Sequence, residues 1–458
     1  MRQDSAFHVT TEPRLSTRGG AARSRLSRAL FLLLMSPLLL TAQSPLSGGV
    51  RADDDPALVA MLARALLASP RLRATAARTA AARARIGPAG SRPDPMLMAG
   101  LQNFPLLAPG FTDGMTMKML GVSQTMLFPG KQRVRRDVAM REVEAVVAQD
   151  RTARAELVAA VKTTWYDLAY LDAALALTQQ QRTALDGVAA VALARYDAGA
   201  GSQADVLTAR IDAAKLRDDE NGLRSEREAT VAALNALLDR ASDAPVDPVT
   251  ISARLRRAAL PDARDTGPSP LPALSDLQMR AMQDGPMLIG HQREIDAQNE
   301  RVSLARVEAR PDVDVVLQYG QRNNLPDMVT LQVAIPLRLQ QRTKQGEVIA
   351  AARADALASE AEHDAQRNEV HASIARWRAT AERARARAAL YAASVLPQRR
   401  AAVDAALASY RGSSGALTQV LSAEAASLSD SMTLARTLSD FAKSVAALEL
   451  IVGSEVLP

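Results

Sequence analysis

Tyr196-Asp197-Ala198-Gly199-Ala200-Gly201-Ser202-Gln203-Ala204-Asp205-Val206-Leu207-Thr208-Ala209 is the stretch that decides the fold, because the chain repeats it. The degenerate copy is Tyr410-Arg411-Gly412-Ser413-Ser414-Gly415-Ala416-Leu417-Thr418-Gln419-Val420-Leu421-Ser422-Ala423. The tyrosine, the second glycine (201 and 415) and the Val-Leu-Thr/Ser-Ala run recur at one offset, 214 residues. Three further marks share nearly that spacing. Trp165 and Trp377, the only tryptophans, lie 212 apart; Arg92-Pro93-Asp94 returns as Arg310-Pro311-Asp312 after 218; Pro70-x-Leu72 returns as Pro286-x-Leu288 after 216. Solenoid repeats have periods of about 20–50 residues. A period near half of 458 residues instead means two similar halves about a pseudo-symmetry.

Composition narrows what one half can be. Aromatics are only 3%, and much of the 48% hydrophobic content is alanine. Alanine has the best helix propensity and lets backbones approach closely, so this composition suits long, tightly packed helices. There is no cysteine, hence no disulfide, no thiolate metal site and no lipidated N-terminal cysteine. The net charge of +6 sits mostly in residues 1–52, where seven arginines face Asp4 and Glu12. The remainder is nearly neutral and offers no basic footprint for nucleic acid. Residues 1–52 read as an export leader: Arg23, Arg25 and Arg28 precede the apolar run 29–40, with small residues after it and a cleavage point at Ala42 or Ala52. That run is too short to span a membrane as a helix, and no later stretch reaches 18 uninterrupted apolar residues, so a membrane-spanning part must use strands.

Each half reads as short helix, two strands, very long helix, turn and return helix. In the first repeat, 53–239, a helix covers about 56–87, with Leu58, Met61, Leu62, Ala65 and Leu66 at helical spacing. A β-hairpin spans 95–125, its loop Asn103–Gly114 holding Pro105, Pro109, Gly110, Asp113 and Gly114. In its second strand Met115, Met117 and Met119 alternate with Thr116, Lys118 and Leu120, the pattern of a lipid-facing band. Phe128-Pro129-Gly130-Lys131 ends it. From Lys131 to Ala198 there is no proline and only Gly187, so a helix (131–198) on the order of 100 Å is expected at about 1.5 Å per residue. Val161, Leu168 and Leu175 mark a heptad seam in it, with Trp165 beside them. Ser202 is the N-cap of the return helix 203–239, with Asp205 at the capping-box position. Residues 240–272, rich in Pro, Asp, Ser and Ala, read as an inter-repeat linker or small side element.

The second repeat, 273–452, holds a helix over about 273–307, a hairpin over 312–337, a long helix over 343–411 kinked at Pro397, and a return helix over 416–451, before a tail at 453–458. Val313, Val315, Leu317 and Tyr319 alternate with Asp312, Asp314, Val316 and Gln318, while Val329, Leu331 and Val333 alternate with Thr330, Gln332 and Ala334. The fold class is thus mainly α with a small β part. Four strands cannot close a membrane barrel, whose smallest members have about eight, and open edges are not tolerated in lipid. The chain must oligomerise, and a trimer would supply twelve strands and a matching tube of twelve helices.

This plan resembles the TolC family of outer-membrane efflux channels. The resemblance rests on Ser202-Gln203-Ala204-Asp205-Val206-Leu207 after Tyr196 and Gly199, its copy at 410–423, the corner Val122-Ser123-Gln124-Thr125-Met126-Leu127-Phe128-Pro129-Gly130-Lys131, and Ser69-Pro70-Arg71-Leu72. Arg92-Pro93-Asp94-Pro95-Met96 and the Phe-Pro-Gly-Lys corner resemble the heavy-metal branch, the CusC- and CzcC-like members. The resemblance implies a homotrimer with a 12-stranded barrel in the outer membrane of a Gram-negative bacterium and a periplasmic α-barrel. It also implies docking onto a periplasmic adaptor (membrane fusion protein) and an inner-membrane pump of the RND type. The cargo it implies is heavy-metal cations, with drugs or other organic solutes as the alternative.

On that reading the hairpin tips dock the adaptor: Gly199, Gly201, Ser202, Asp205, Val206 and Leu207 at one, and Gly412, Ser413, Gly415, Ala416 and Leu417 at the other. Arg195, Asp197, Asp205, Asp404 and Arg411 are charged residues near the tips that would form inter-subunit pairs holding an aperture shut. Asp314 and Gln318 share the polar face of a strand and are expected to face the pore. Gly199-Ala200-Gly201-Ser202-Gln203-Ala204 fits a dinucleotide fingerprint in spacing, but a helix and not a strand precedes it. The six methionines 96, 98, 115, 117, 119 and 126 make a Cu(I) site tempting, yet alternate Met on a strand is also what lipid contact requires. His8, His291, His363 and His371 provide no ligand pair. No cofactor site, nucleophile elbow or phosphate loop appears, so an enzyme is not expected. The remaining competitor is a soluble coiled-coil scaffold or the adaptor itself; an adaptor would carry one helical hairpin flanked by all-β segments.

Overall fold

A computed structural model describes residues 55–105, 110–111, 113–260, 271–412 and 414–457. The leader, Pro109 in the first hairpin loop, Ser413 at the second tip and Pro458 lie outside the described residues.

Helix α1 (Pro56–Ala68) and helix α2 (Pro70–Gly90) replace the single helix expected over 56–87. Pro70 has no N–H to donate, so the chain breaks at Ser69, whose hydroxyl caps α2 by accepting from the Leu72 amide at 3.5 Å. The second repeat breaks at the matching place. Helices α6 (Leu274–Asp284) and α7 (Pro286–Glu308) meet at Gly285, where one continuous helix over 273–307 was expected. A side chain at Gly285 would run into the carbonyls of Ala281 and Ile451. The recurring Pro-x-Leu is therefore the start signal of a second helix.

Strands β1 (Met96–Gln102), β2 (Met117–Met126), β3 (Val313–Arg322) and β4 (Met328–Ala334) form one antiparallel sheet in sequence order. The β2–β3 ladder, from Met117↔Arg322 to Met126↔Val313, joins the two halves. β1 and β4 are its edges.

Helix α3 (Lys131–Asp197) is 67 residues long, about 100 Å at 1.5 Å per residue. Gly130 starts it at φ 94°, a left-handed conformation that favours glycine. Val161, Trp165 and Leu168 are buried as the seam requires, but Leu175 is only half-buried. Burial continues instead through Leu171, Ala174, Thr178, Gln181, Leu185, Val188 and Ala192. The steps of three at 168–171–174 shift the heptad, because 3.6 residues per turn drift away from a 3.5-residue repeat. Helix α4 (Gln203–Leu237) returns alongside.

In the second half, a wide helical turn at Gln341–Gly346 leads into α8 (Glu347–Leu390). Another wide turn, Tyr391–Val395, precedes α9 (Leu396–Arg411). It stands directly before Pro397, whose ring and missing N–H disturb the ordinary ladder. Helix α10 (Leu417–Val452) closes the repeat and ends at Gly453, φ 77°.

The inter-repeat segment is more than a linker. It forms α5 (Ala253–Ala259) and buries Val246, Val249, Leu255, Ala259 and Leu271 in the main core. That core unites both halves through Leu58, Leu62, Trp165, Leu234, Leu277, Ile374 and Phe441. The tail joins it through Val456 and Leu457, and Arg254 Nη2 donates to the Leu457 carbonyl at 2.6 Å. A second core near the tips gathers Leu185, Val188, Ala209, Tyr410, Leu417 and Val420.

Candidate functional site

Three places carry the chemistry: the hairpin tips, the sheet, and the joint between sheet and long helix. At the first tip Gly199 takes φ 70°, and Gly201 passes so close to the chain that a side chain there would meet the Tyr196 nitrogen and Arg195 Cβ at 3.1 Å. Gly415 does the same over Tyr410 and Ser409. The shared offset of tyrosine and glycine is thus one close backbone approach built twice. Ser202 Oγ accepts from the Asp205 amide at 3.1 Å, and the Asp205 carboxylate sits favourably in the first turn of α4.

The tips are not equivalent. Tyr196 is 44% exposed and Leu207 51%, whereas their counterparts Tyr410 and Leu421 are 1% and 7% exposed. Arg195 is one of the groups that cover Tyr410. Its guanidinium lies 4.6 Å from the centre of the Tyr410 ring, donates to the Tyr410 carbonyl, and donates from Nη2 to the Ala200 carbonyl at 3.0 Å. It ties the first hairpin to the second within one chain. Burial, and next the charge of Asp205, push the Tyr410 phenol above its ordinary pKa. Val206 and Leu417 are buried; Gly412 and Ala416 are exposed. Asp197, Asp404 and Arg411 are exposed, and among the described residues none of them makes an ion pair inside the chain.

The sheet has two unlike faces, and the register assigns them. Paired residues share a face, so Leu97↔Val122↔Leu317↔Leu331 and Ala99↔Leu120↔Tyr319↔Val329 form rows of one apolar, solvent-exposed face, with Val315↔Val333 beside them. The other face is mixed. It carries Asp314, whose Oδ1 accepts from the Thr125 hydroxyl at 2.6 Å, and Gln318, packed over Gly121, together with Thr330 and Gln332. Met117 and Met119 stand on this mixed face, which overturns the reading of them as the apolar lipid band. In β2 each alternating set mixes apolar and polar residues, Met117 and Met119 with Ser123 and Thr125 in one, Leu120 and Val122 with Lys118 and Gln124 in the other, so periodicity alone could not choose; pairing with β3 does. Met126, opposite Val313, is on the apolar face.

The joint was not singled out from sequence, although its motifs were. Lys131, 1% exposed, donates from Nζ to Asp312 Oδ2 at 2.9 Å and stands 3.5 Å from Glu308. Asp312 Oδ1 accepts from the Phe128 amide at 2.8 Å, and Arg135 Nε donates to Glu308 at 2.7 Å. Arg310 lies over the Phe128 ring. Phe-Pro-Gly-Lys and the second Arg-Pro-Asp are therefore two halves of one contact. Partial burial by itself would raise the Asp312 carboxyl. Hydrogen bonds from Lys131 and the Phe128 amide, with the charges of Lys131 and Arg135, outweigh it and hold the group below the ordinary carboxylate range. Among the described residues no group of three His, Asp or Glu side chains is placed to hold a metal ion, and no helix is long and apolar enough to cross a membrane.

Comparison with solved structures decides the fold. The chain matches the outer-membrane channel OprN with a TM-score of 0.71 at 18% identity, over 89% of this chain and 92% of that one. Its fold is that of the outer-membrane efflux channels. VceC from Vibrio cholerae matches with a TM-score of 0.71 at 20% identity over 87% and 97%, and CusC with 0.71 at 15% over 87% and 92%. The sequence model of the outer membrane efflux protein family matches residues 61–240, from α1 to just past α4. No curated protein matches the chain by sequence.

Proposed function

We propose that this chain is one third of a trimeric outer-membrane channel, a passive conduit in a tripartite efflux system of a Gram-negative bacterium. The observation that carries the reading is the sheet. It has one broad exposed apolar face, a mixed opposite face, and two unpaired edges, β1 and β4. Such edges cannot remain open in lipid, so β4 of one copy pairs with β1 of the next, and three copies close a barrel of twelve strands. Leu337 and Leu339, strongly exposed just after β4, are the kind of surface a neighbouring copy or lipid would cover. The long helices α3 and α8–α9 with their return helices form the periplasmic tube.

In this reading the tips meet the periplasmic adaptor, the first through Gly199, Gly201, Ser202, Asp205 and the exposed Leu207, the second through Gly412, Gly415 and Ala416, while the buried Val206 and Leu417 support the tips from within. Asp197, Asp404 and Arg411 face other subunits at the aperture, while Arg195 holds the two hairpins of one chain together. Asp314 and Gln318 line the pore. Energy comes from an inner-membrane pump of the RND type, and the chain performs no catalysis. The cargo is heavy-metal cations, on the resemblance of the corner motifs to the heavy-metal branch; export of drugs or organic solutes is the other outcome of the test.

The test has two parts. The purified protein should need detergent, run as a trimer, and give discrete conductance steps in planar bilayers. A strain deleted for the gene should lose tolerance to copper, silver, cobalt or zinc and regain it with the gene restored. A water-soluble monomer without conductance would refute the channel.

A further inference from the structure

The register that turns Leu and Val outward gathers methionines on the opposite face. Gly100, Met119, Gly320 and Met328 stand side by side across the four strands. Met117 is two residues from Met119 on the same strand, and Met98, opposite Gly121, is the diagonal neighbour of Met119. The glycines leave no side chain between the thioethers. A methyl group added at Gly320 would come 2.9 Å from Met119 Sδ and 3.2 Å from Met117 Sδ, so both sulfurs bend over one bare stretch of backbone. Gly100, on the other flank of Met119, has open space above it. The methyl position at Gly320 is one bond length from its Cα, so an ion held by both sulfurs would sit farther from the backbone than that point.

Thioether sulfur is a soft, neutral ligand of the kind that selects Cu(I). The immediate β3 neighbours on this face are Gln318 and Arg322, and Asp314 lies six residues along the strand, so no carboxylate favours a hard divalent cation at this point. We propose that Met117 and Met119, with Met98 and Met328 in reach, form a thioether site for soft monovalent cations, Cu(I) or Ag(I), on the lumen side of the sheet. Neutral ligands suit a conduit, which must bind its cargo well enough to admit it and weakly enough to let it go. The place of the site in a lumen rests on the channel reading and names the cargo class for it.

Methionine also fills gaps over glycine, and the experiment separates the two roles. The full chain in detergent is titrated with silver nitrate in chloride-free buffer, following heat of binding and the sulfur shell in silver-edge X-ray absorption. Wild-type protein should bind silver through sulfur. The double variant M117L/M119L, nearly volume-conserving and so able to fold and assemble, should bind about tenfold more weakly or worse. G320V should weaken binding too, by displacing the sulfurs without removing them. Equal binding by wild type and M117L/M119L, or a shell without sulfur, would overturn the site and leave packing as its role. Bilayer conductance of the same preparations tests the channel independently: a pore that binds no silver sinks the site alone, and sulfur-bound silver without a pore sinks the channel alone.

Discussion

Replacing Asp312 by alanine should damage this protein more than replacing Lys131, although the two form one ion pair. Lys131 Nζ is almost wholly buried, 2.8 Å from one Asp312 oxygen and 3.5 Å from Glu308. Asp312 is about one-quarter exposed and also accepts the Phe128 amide. Breaking a buried pair from one side typically costs about 3–5 kcal/mol, because a desolvated charge is left behind. In D312A that charge is the ammonium, relieved only by Glu308, and the Phe128 N–H loses its acceptor as well. The low end of the range, about 3 kcal/mol or a hundredfold in the folding equilibrium, is expected. In K131M the carboxylate left behind can hydrate and keeps its amide bond, and the methionine fills the space, so a cost of about 1 kcal/mol is expected. Equilibrium denaturant unfolding of the detergent-solubilised protein, followed by helical circular dichroism, measures both. The pH dependence gives a second reading. Asp312 is held below its ordinary value of 3.8, so its contribution is fully present above that value and is lost as pH falls through the lower, folded-state pKa. D312N should lack that acid-side loss. Equal costs for D312A and K131M, or an unchanged acid limb in D312N, would refute the account of the joint.

The other predictions concern the faces and the tips. L331R, on the exposed apolar face, should cost about 2–4 kcal/mol if the residue lies near the bilayer centre and cut trimer yield in outer-membrane fractions, whereas Q318R on the mixed face should leave yield intact and shift ion selectivity in bilayers toward anions. R195A removes the ring contact and the carbonyl bond that fasten Tyr410, with the bond to the Ala200 carbonyl, and should raise the resting conductance several-fold; an unchanged closed-state current would rule out Arg195 as what holds the two hairpins closed. G199A places a side chain at φ 70°, costing about 1–2 kcal/mol, and should weaken pull-down of the cognate adaptor while trimer mass by size-exclusion with light scattering stays unchanged.

The sequence by itself determined the doubled plan, the length of the proline-free helix after Lys131, and the alternation that separates Val313, Val315, Leu317 and Tyr319 from Asp314 and Gln318. These are local signals, because propensity, breakers and period are written in consecutive residues. What depended on residues far apart in the chain waited for the tertiary structure. Register with β3 moved Met117 and Met119 off the apolar face, since two alternating sets in β2 that each mix apolar and polar residues carry no label saying which faces which way. The packing of one hairpin on the other buried Tyr410 and left Tyr196 exposed, although both sit in the same motif. The partner of Lys131 lies 181 residues away, and only the meeting of the two halves shows that a lysine after a turn and an aspartate before a strand are one ion pair.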